Sequence, residues 1–494
     1  TIRIDEELKD PNNFESDILD TTGYDIYVDG VYNTTIVGRN FTLTLKNGET
    51  CHDYAVPSIS NSRTNEIFVG VPKEYVYVSQ ESGNDTNDGL SRLTPVATMS
   101  KAVEIARTKG NIIIMDGTFG EDNLTIDYNL SVTGENNVKF TGSHAKSIFD
   151  VSKGDFQISN IHFESNIFTN THIGVIRHAN GYLTVENCNF TANYYQGSGL
   201  QGMELITSPN VEVHNCKFLN HNKNLRVVLI KSNNFLIDNS TFENNTADNL
   251  AFSSLISTSG TRAGIKGVVS NSKFVNNMVY AGCIYFDSNS NQLNIENTKF
   301  ISNFVGSSGE ASCIEIATST KLMVISSVFV NNQNFGSKSG VIYLKSGSTS
   351  AEISDSIILN NSFENSNGLV FSGLKNYLKC YKNLNGNWWG NTLDNMDEAP
   401  KVYSDAVSTW IFLNASSDKT SMAYNQKALV TYDLNNAYMK NGNISFYDSS
   451  DLPQFELEIK ANNGSSNVSN VNVTKGMANV EYALESYVGG SVIA

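Results

Sequence analysis

Three residues at one recurring position of this chain could do acid–base chemistry. Glu186, His214 and Asp238 each stand immediately before a repeated Asn, at Asn187, Asn215 and Asn239. If those segments stack in register, an imidazole is flanked by two carboxylates, a set suited to a general base or a metal. Three residues further on, Asn189, Lys217, Thr241, Lys273 and Lys299 share a second slot. A basic row beside an acidic one is also what two complementary, solvated charge ladders look like, and the sequence favours that reading over a catalytic or metal site. A third slot holds Tyr285, Glu315 and Tyr343 and pairs no acids.

Other residues invite smaller hypotheses. Asp85 and Asp88, within Asn84–Gly89, resemble half of a calcium loop, but the bidentate Glu that would complete it is absent. An Asx-rich turn is the simpler reading, and structural calcium is the one cofactor the sequence suggests. Cys188 and Cys216 fall in one slot of neighbouring repeats, and Cys283 and Cys313 in another. Stacking at roughly 4.8 Å brings each pair within disulfide range, yet in-register neighbours hold Cβ atoms far apart for a relaxed bridge. Bridged cysteines and buried free thiols both fit. Aromatics populate the connections between repeats: Tyr194, Tyr195, Tyr280, Phe304, Phe335 and Phe363. Variable loops on a regular scaffold are where recognition concentrates, so these six are the candidate ligand-binding residues.

The element that must position all of these is a repeat, N-x-x-F-x-x-N. Its Phe recurs at 163, 190, 218, 242, 274, 300 and 329, with Ile358 in the same place, at intervals of 24 to 32 residues. Apolar and polar residues alternate before each Asn, which is strand periodicity, and a second apolar run lies upstream in the later units. No unit contains a helix-length amphipathic stretch. The fold class expected is all-β: a right-handed parallel β-helix, one coil per unit, the hand following from the parallel crossover rule. Phe163 to Phe329 should stack inside. Asn160, Asn187, Asn215, Asn239, Asn271 and Asn297 are expected to form an inward Asn ladder at a corner.

Flanking segments read differently. Residues 1–72 suggest a small β-sandwich. A β-helix over 73–412 begins with a capping helix near 95–109, whose apolar face is Met99, Ala102, Val103 and Ala106. Trp388 and Trp389 stand where the repeat stops and suit a cap at the far end; stacking on sugar is the alternative. Residues 413–494 alternate at sandwich spacing and stop inside an apparent strand, which implies a continuing chain or a strand donated by a neighbour.

The composition excludes several classes. With 34 basic against 50 acidic residues the net charge is -16, unsuited to nucleic acid. No apolar run reaches the roughly 20 residues of a membrane span. N-x-S/T sequons are many, and Asn33, Asn40, Asn123, Asn360, Asn414, Asn443, Asn463, Asn467 and Asn472 are glycosylation candidates; Asn239 is expected to be unmodified because of its inward position.

Several of these segments together resemble a family. Tyr77 to Ala106 is similar to the N-terminal cap of surface parallel β-helix proteins. Asn387 to Asn391 (NWWGN), Val407 to Ser416 and the strands after Leu452 look like adhesin-like surface proteins of methanogenic archaea with Ig-like repeats. The resemblance spans about 74–494 and implies an extracellular, cell-surface or cell-wall protein proposed to mediate attachment, with no catalytic motif to transfer. The function expected is a non-enzymatic adhesin whose partners are glycans or proteins of another cell, or further copies of itself through edge strands. Alternatives are a filament or envelope subunit, a polysaccharide-degrading enzyme, and a viral tail-spike receptor-binding protein.

Overall fold

Which side of the chain a residue faces is set here by two left-handed bends per coil. In each N-x-x-F-x-x-N unit the first residue has positive φ: Asn160, Asn187, Asn215, Asn239, Asn271 and Asn297 lie between 45° and 59°. So does the residue two after the Phe, as in Ala192, Asn220, Asn244 and Asn276. Asn tolerates this conformation better than other residues with a Cβ, because its short amide bonds locally. The bends swing the chain into, and out of, the three-residue strand that carries the Phe.

A computed structural model describes residues 75–493, apart from 198–201, 223, 232–233, 248–252, 259–264, 288–290, 306–310, 319, 336–339, 346–348, 364–370, 374–380, 401–406 and 487–490. Before residue 75 it describes four strands. Ile2–Arg3 pairs parallel to Asp25–Tyr27, and that strand pairs parallel to Thr42–Thr44. Thr42–Thr44 in turn pairs antiparallel to Thr50–His52. The rest of the sandwich expected over 1–72 lies outside the described residues. Residues 1–75 and 76–494 form two separate units.

In the second unit the coils stack as a parallel β-solenoid. Three long sheets of 10, 12 and 16 strands form its walls, with short three- and five-stranded sheets at one edge. The inward Phe rings pile face to face. From Phe190 to Phe329 successive centroids are 4.6 to 4.9 Å apart and within 10° of parallel. The spacing is that of the strands, so each ring meets its neighbours because the backbones pair in register. Phe140 and Phe119 extend the stack below Phe163.

The Asn ladder is inward, but at a different position from the one expected. Asn160, Asn187, Asn215, Asn239, Asn271 and Asn297 are exposed at the bends. The buried amides are the last residue of each unit: Asn166, Asn193, Asn245, Asn277, Asn303 and Asn332. Each donates Nδ2 to the preceding coil's Phe carbonyl, as Asn277 does to Phe242 at 2.9 Å. Its Oδ1 accepts from the preceding Asn backbone N–H and amide, both at 3.0 Å for Asn245 onto Asn277. Period-2 alternation could not separate the two Asn positions, because the left-handed bends break the alternation on either side of the Phe strand. Asn239, expected inside, is therefore an exposed sequon.

His221 takes the place of an Asn in this ladder. Its Nδ1 accepts from the Asn193 backbone N–H at 3.2 Å, which leaves the proton on a buried Nε2 with no partner. Full burial pulls its pKa down to about 3.

A second ladder, of small polar groups, runs one residue after the first bend: Cys188, Cys216, Ser240, Ser272, Thr298, Ser327 and Ser356. Ser240 Oγ donates to the Asp238 carbonyl at 2.9 Å, and Cys216 Sγ reaches the equivalent His214 carbonyl at 3.2 Å. The two thiols act as hydroxyl substitutes. Cys188, Cys216, Cys283 and Cys313 are all free and buried, and burial pushes the Cys216, Cys283 and Cys313 thiols well up.

The capping helix is shorter than the 95–109 expected, Met99–Ala106, and buries the four residues anticipated. At the other end the solenoid does not stop at a cap. Asn387–Thr392 pairs parallel to Thr409–Ser417, which pairs antiparallel to Lys427–Met439, all in the 16-stranded sheet. The boundary expected between 412 and 413 thus falls inside a strand. Trp389 and Trp410 pack against the solenoid core, whereas Trp388 turns outward into a second core with Phe455, Val328 and Ile357.

Candidate functional site

The acidic row does not assemble into one site. Glu186, His214 and Asp238 are register partners on adjacent strands, but no hydrogen bond or ion pair joins their side chains among the described residues, and Asp238 is engaged elsewhere. Asp238 Oδ1 accepts from Ser270 Oγ at 2.6 Å and from Asn271 Nδ2 at 2.8 Å, and these bonds hold its carboxyl below the usual range. That is the wrong direction for a general acid. His214 faces Glu212 of its own strand at 3.6 Å. Among the described residues no group of three or more His, Cys, Asp or Glu side chains could hold a metal ion.

Asp85 and Asp88 serve the entrance cap. Asp85 Oδ1 accepts from the backbone N–H of Ala97 and Thr98, and Oδ2 from Thr98 Oγ1 at 2.8 Å. Thr98 is the N-cap of Met99–Ala106. Asp88 accepts from Leu90 N–H and Thr94 Oγ1. Both carboxyls are held below their ordinary range.

The loop aromatics separate into two sets. Tyr195 is buried in the core. Tyr194, Tyr280 and Phe304 are half-buried, and Phe335 is exposed. The Phe363 side chain lies outside the described residues. The pairing places Ile167 beside Tyr194 in the three-stranded edge sheet, and Met278 beside Phe304 in the five-stranded one. Among the sequons, Asn123, Asn360, Asn443, Asn463, Asn467 and Asn472 are exposed. Asn414 is half-buried and donates to Asp433 Oδ2 at 3.0 Å, and Asn33 and Asn40 lie outside the described residues.

A cleft on the 10-stranded wall was not anticipated. A cavity of about 440 Å³ opens between Thr171–Ile173 and the strands of the next two coils. Glu204 is buried in its side, and its Oε1 accepts from Arg226 Nη1 at 2.9 Å and lies 3.0 Å from His172 Nδ1. Arg177, Thr207 and Leu229 are register partners on three successive coils. Gly174 makes the approach feasible: a Cβ there would sit 2.2 Å from the Glu204 carbonyl oxygen. His172, at φ 58°, turns its ring toward Glu204. The cleft residues recur in no motif, and a backbone irregularity between Met203 and Glu204 sets their alignment, so the repeat gave no signal for them.

Fold and surface together define a right-handed parallel β-helix protein. The right-handed β-helix region family matches residues 152–320. Comparison with curated proteins gives no match. Among solved structures the chain is similar to a mannuronic-acid-specific polysaccharide family 6 lyase from human gut microbiota, with 13% identity, TM-score 0.37, and 64% and 79% of the two chains covered. It is also similar to an Acinetobacter phage tailspike protein, with 12% identity, TM-score 0.33, and coverage of 96% and 99%. A third is PfbA, a surface adhesin of Streptococcus pneumoniae, with 12% identity, TM-score 0.27, and coverage of 71% and 95%. Among the described residues no helix is long and apolar enough to cross a membrane.

Proposed function

We propose that this protein is a non-enzymatic, extracellular attachment protein, a stiff β-helix presenting one edge to glycans or proteins of another cell. The observation that carries the reading is the outward side of the two short edge sheets. There Ile167 and Tyr194 in one sheet, and Met278 and Phe304 in the other, stand half-buried as register pairs, with Phe335 exposed two residues after Gln333, the register partner of Phe304. Aromatic faces beside polar groups suit sugar rings and protein loops alike. The solenoid holds these pairs at fixed spacing and needs no induced ordering to bind. The engagement of Asp238 by Ser270 and Asn271, which holds its carboxyl low, supports a binding role over one that needs it as a general acid. The test is adhesion of intact protein to immobilised cells and to a glycan panel, with Tyr194→Ala and Phe304→Ala combined. A loss of tenfold or more is expected, with the glycans left at full length. Undiminished binding by the double variant, or depolymerisation of any glycan by the wild type, overturns the reading.

A further inference from the structure

We infer that the cleft on the 10-stranded wall binds the anionic group, carboxylate or sulfate, of an acidic glycan. The protein carries a net charge of -16, so a concentration of cations on its surface is set against the average. The cleft gathers Arg177, Arg226 and Lys231 around one carboxylate. Arg226 is committed to Glu204 at 2.9 Å. Arg177 and Lys231 form no ion pair with any described residue. Two cations thus face the opening without a direct ion pair, although Asp150 is the register partner of Arg177 on the preceding coil; one of the two is a planar fork matched to carboxylate or sulfate oxygens.

The remaining lining selects among anions. Leu229 is nearly fully buried and forms an apolar floor, with Thr207 beside it. Glu204 uses Oε1 for both His172 and Arg226, and Oε2 makes no hydrogen bond to any described residue. A ligand that satisfies this set brings a negative group for Arg177 and Lys231, hydroxyl donors for Glu204 Oε2 and Thr207, and a carbon face for Leu229. A charged sugar has all three, whereas an acidic peptide has the anion without the hydroxyls. The cavity, about 440 Å³, is within the range of small-ligand sites. Its three lining strands span roughly 10 Å along the solenoid, from two inter-strand steps, enough for a sugar unit and its linkage.

This site lies on a different wall from the attachment edge and stands or falls without it. The test uses the whole chain and calorimetric titration with four probes: a galacturonate tetramer, the same tetramer fully methyl-esterified, a chondroitin sulfate tetramer and tetra-aspartate. The wild type should bind the galacturonate or the sulfated tetramer, and the two arms tell which anion is preferred. Binding should fall at least tenfold for the ester and for Arg177→Gln combined with Lys231→Gln. Both substituted side chains have exposed charges, and circular dichroism checks that the fold is kept. Thr241→Ala, on the 16-stranded sheet and outside both sites, should leave the titration unchanged. Absence of binding to both acidic tetramers, equal binding of the ester, equal binding by the double variant, or tighter binding of tetra-aspartate each overturns the proposal.

Discussion

The outer face of the 16-stranded sheet changes character along its length. In the early coils one outward column reads Thr118, Lys139, His162, Asn189, Lys217, Thr241 and Lys273. In the last coils the same column becomes Val328, Ile357 and Trp388. Lys217 and Lys273 are exposed, whereas Val328, Ile357 and Trp388 are at most 5% exposed. The inner face stays apolar throughout, with Phe163 to Phe329 followed by Ile358 and Trp389. The solenoid is held by what points inward, and its outward column is free to be rewritten. Where that column turns apolar, the strands after Thr409 cover it and share its core. Lys299 marks the changeover: it is half-buried, and Nζ donates to the Gln454 carbonyl at 3.2 Å.

The comparison can be broken at its strongest point first. Phe242→Ala should lower unfolding free energy by about 3–5 kcal/mol, while its outward neighbour Thr241→Ala should stay within about 0.5 kcal/mol. Urea titration followed by circular dichroism measures both. Equal effects would mean that the inward stack is not what holds the coils. Next comes the covered end of the column, where Ile357→Ala should cost about 2–4 kcal/mol and Lys273→Ala almost nothing. The inward amide ladder should show an intermediate effect. Asn277→Ala strips the Phe242 carbonyl and the Asn245 backbone N–H of partners, at about 1–3 kcal/mol.

A smaller effect of opposite sign tests the one irregular rung. His221→Asn should stabilise the chain by about 1 kcal/mol, by supplying the amide that the neighbouring rungs have. It should also flatten a pH dependence. The imidazole stays neutral in the fold down to about pH 3 but protonates near 6.5 when unfolded. Between those values the unfolded state binds more protons, so stability falls as pH is lowered through that window. Thermal melts of wild type and variant at pH 7 and pH 4.5 give the comparison. Smallest of all is the expected change in the native thiols. Cys188, Cys216, Cys283 and Cys313 should gain no mass with iodoacetamide until denaturant is added.

Much of the solenoid was legible because repetition makes a periodic signal strong. The Phe slot, the capping face of Met99, Ala102, Val103 and Ala106, and the paired cysteine slots all follow from residues recurring at matched offsets. The two Asn positions of the motif were exchanged, because sequence gives the residue type and not the sign of φ. Asn suits a left-handed bend and a buried ladder equally. The early rings Phe119 and Phe140 escaped because neither unit carries the whole motif: Gly117 stands before Phe119, and the Phe140 unit has Asn137 at its first bend but Ser143 in place of the closing Asn. The cleft was illegible for a related reason. His172, Glu204 and Arg226 are 32 and 22 residues apart and meet through a close backbone approach at Gly174 that no period announces.

The continuous sheet at Asn387–Thr392 and Thr409–Ser417 has a mechanical meaning. Had the C-terminal strands hung from a tether, a tug on them would have swung them round before loading anything. Here the register pairs Trp388–Ile411 and Asn387–Trp410, with the bond that Gly386 N–H donates to the Thr409 carbonyl at 3.1 Å, belong to the solenoid wall itself. Tension applied to Lys427–Met439 passes along its thirteen residues into that wall without a hinge to absorb it. The joint resists bending as a plank does and parts only when a row of bonds shears together, so a load on the C-terminal strands reaches the coils undiminished.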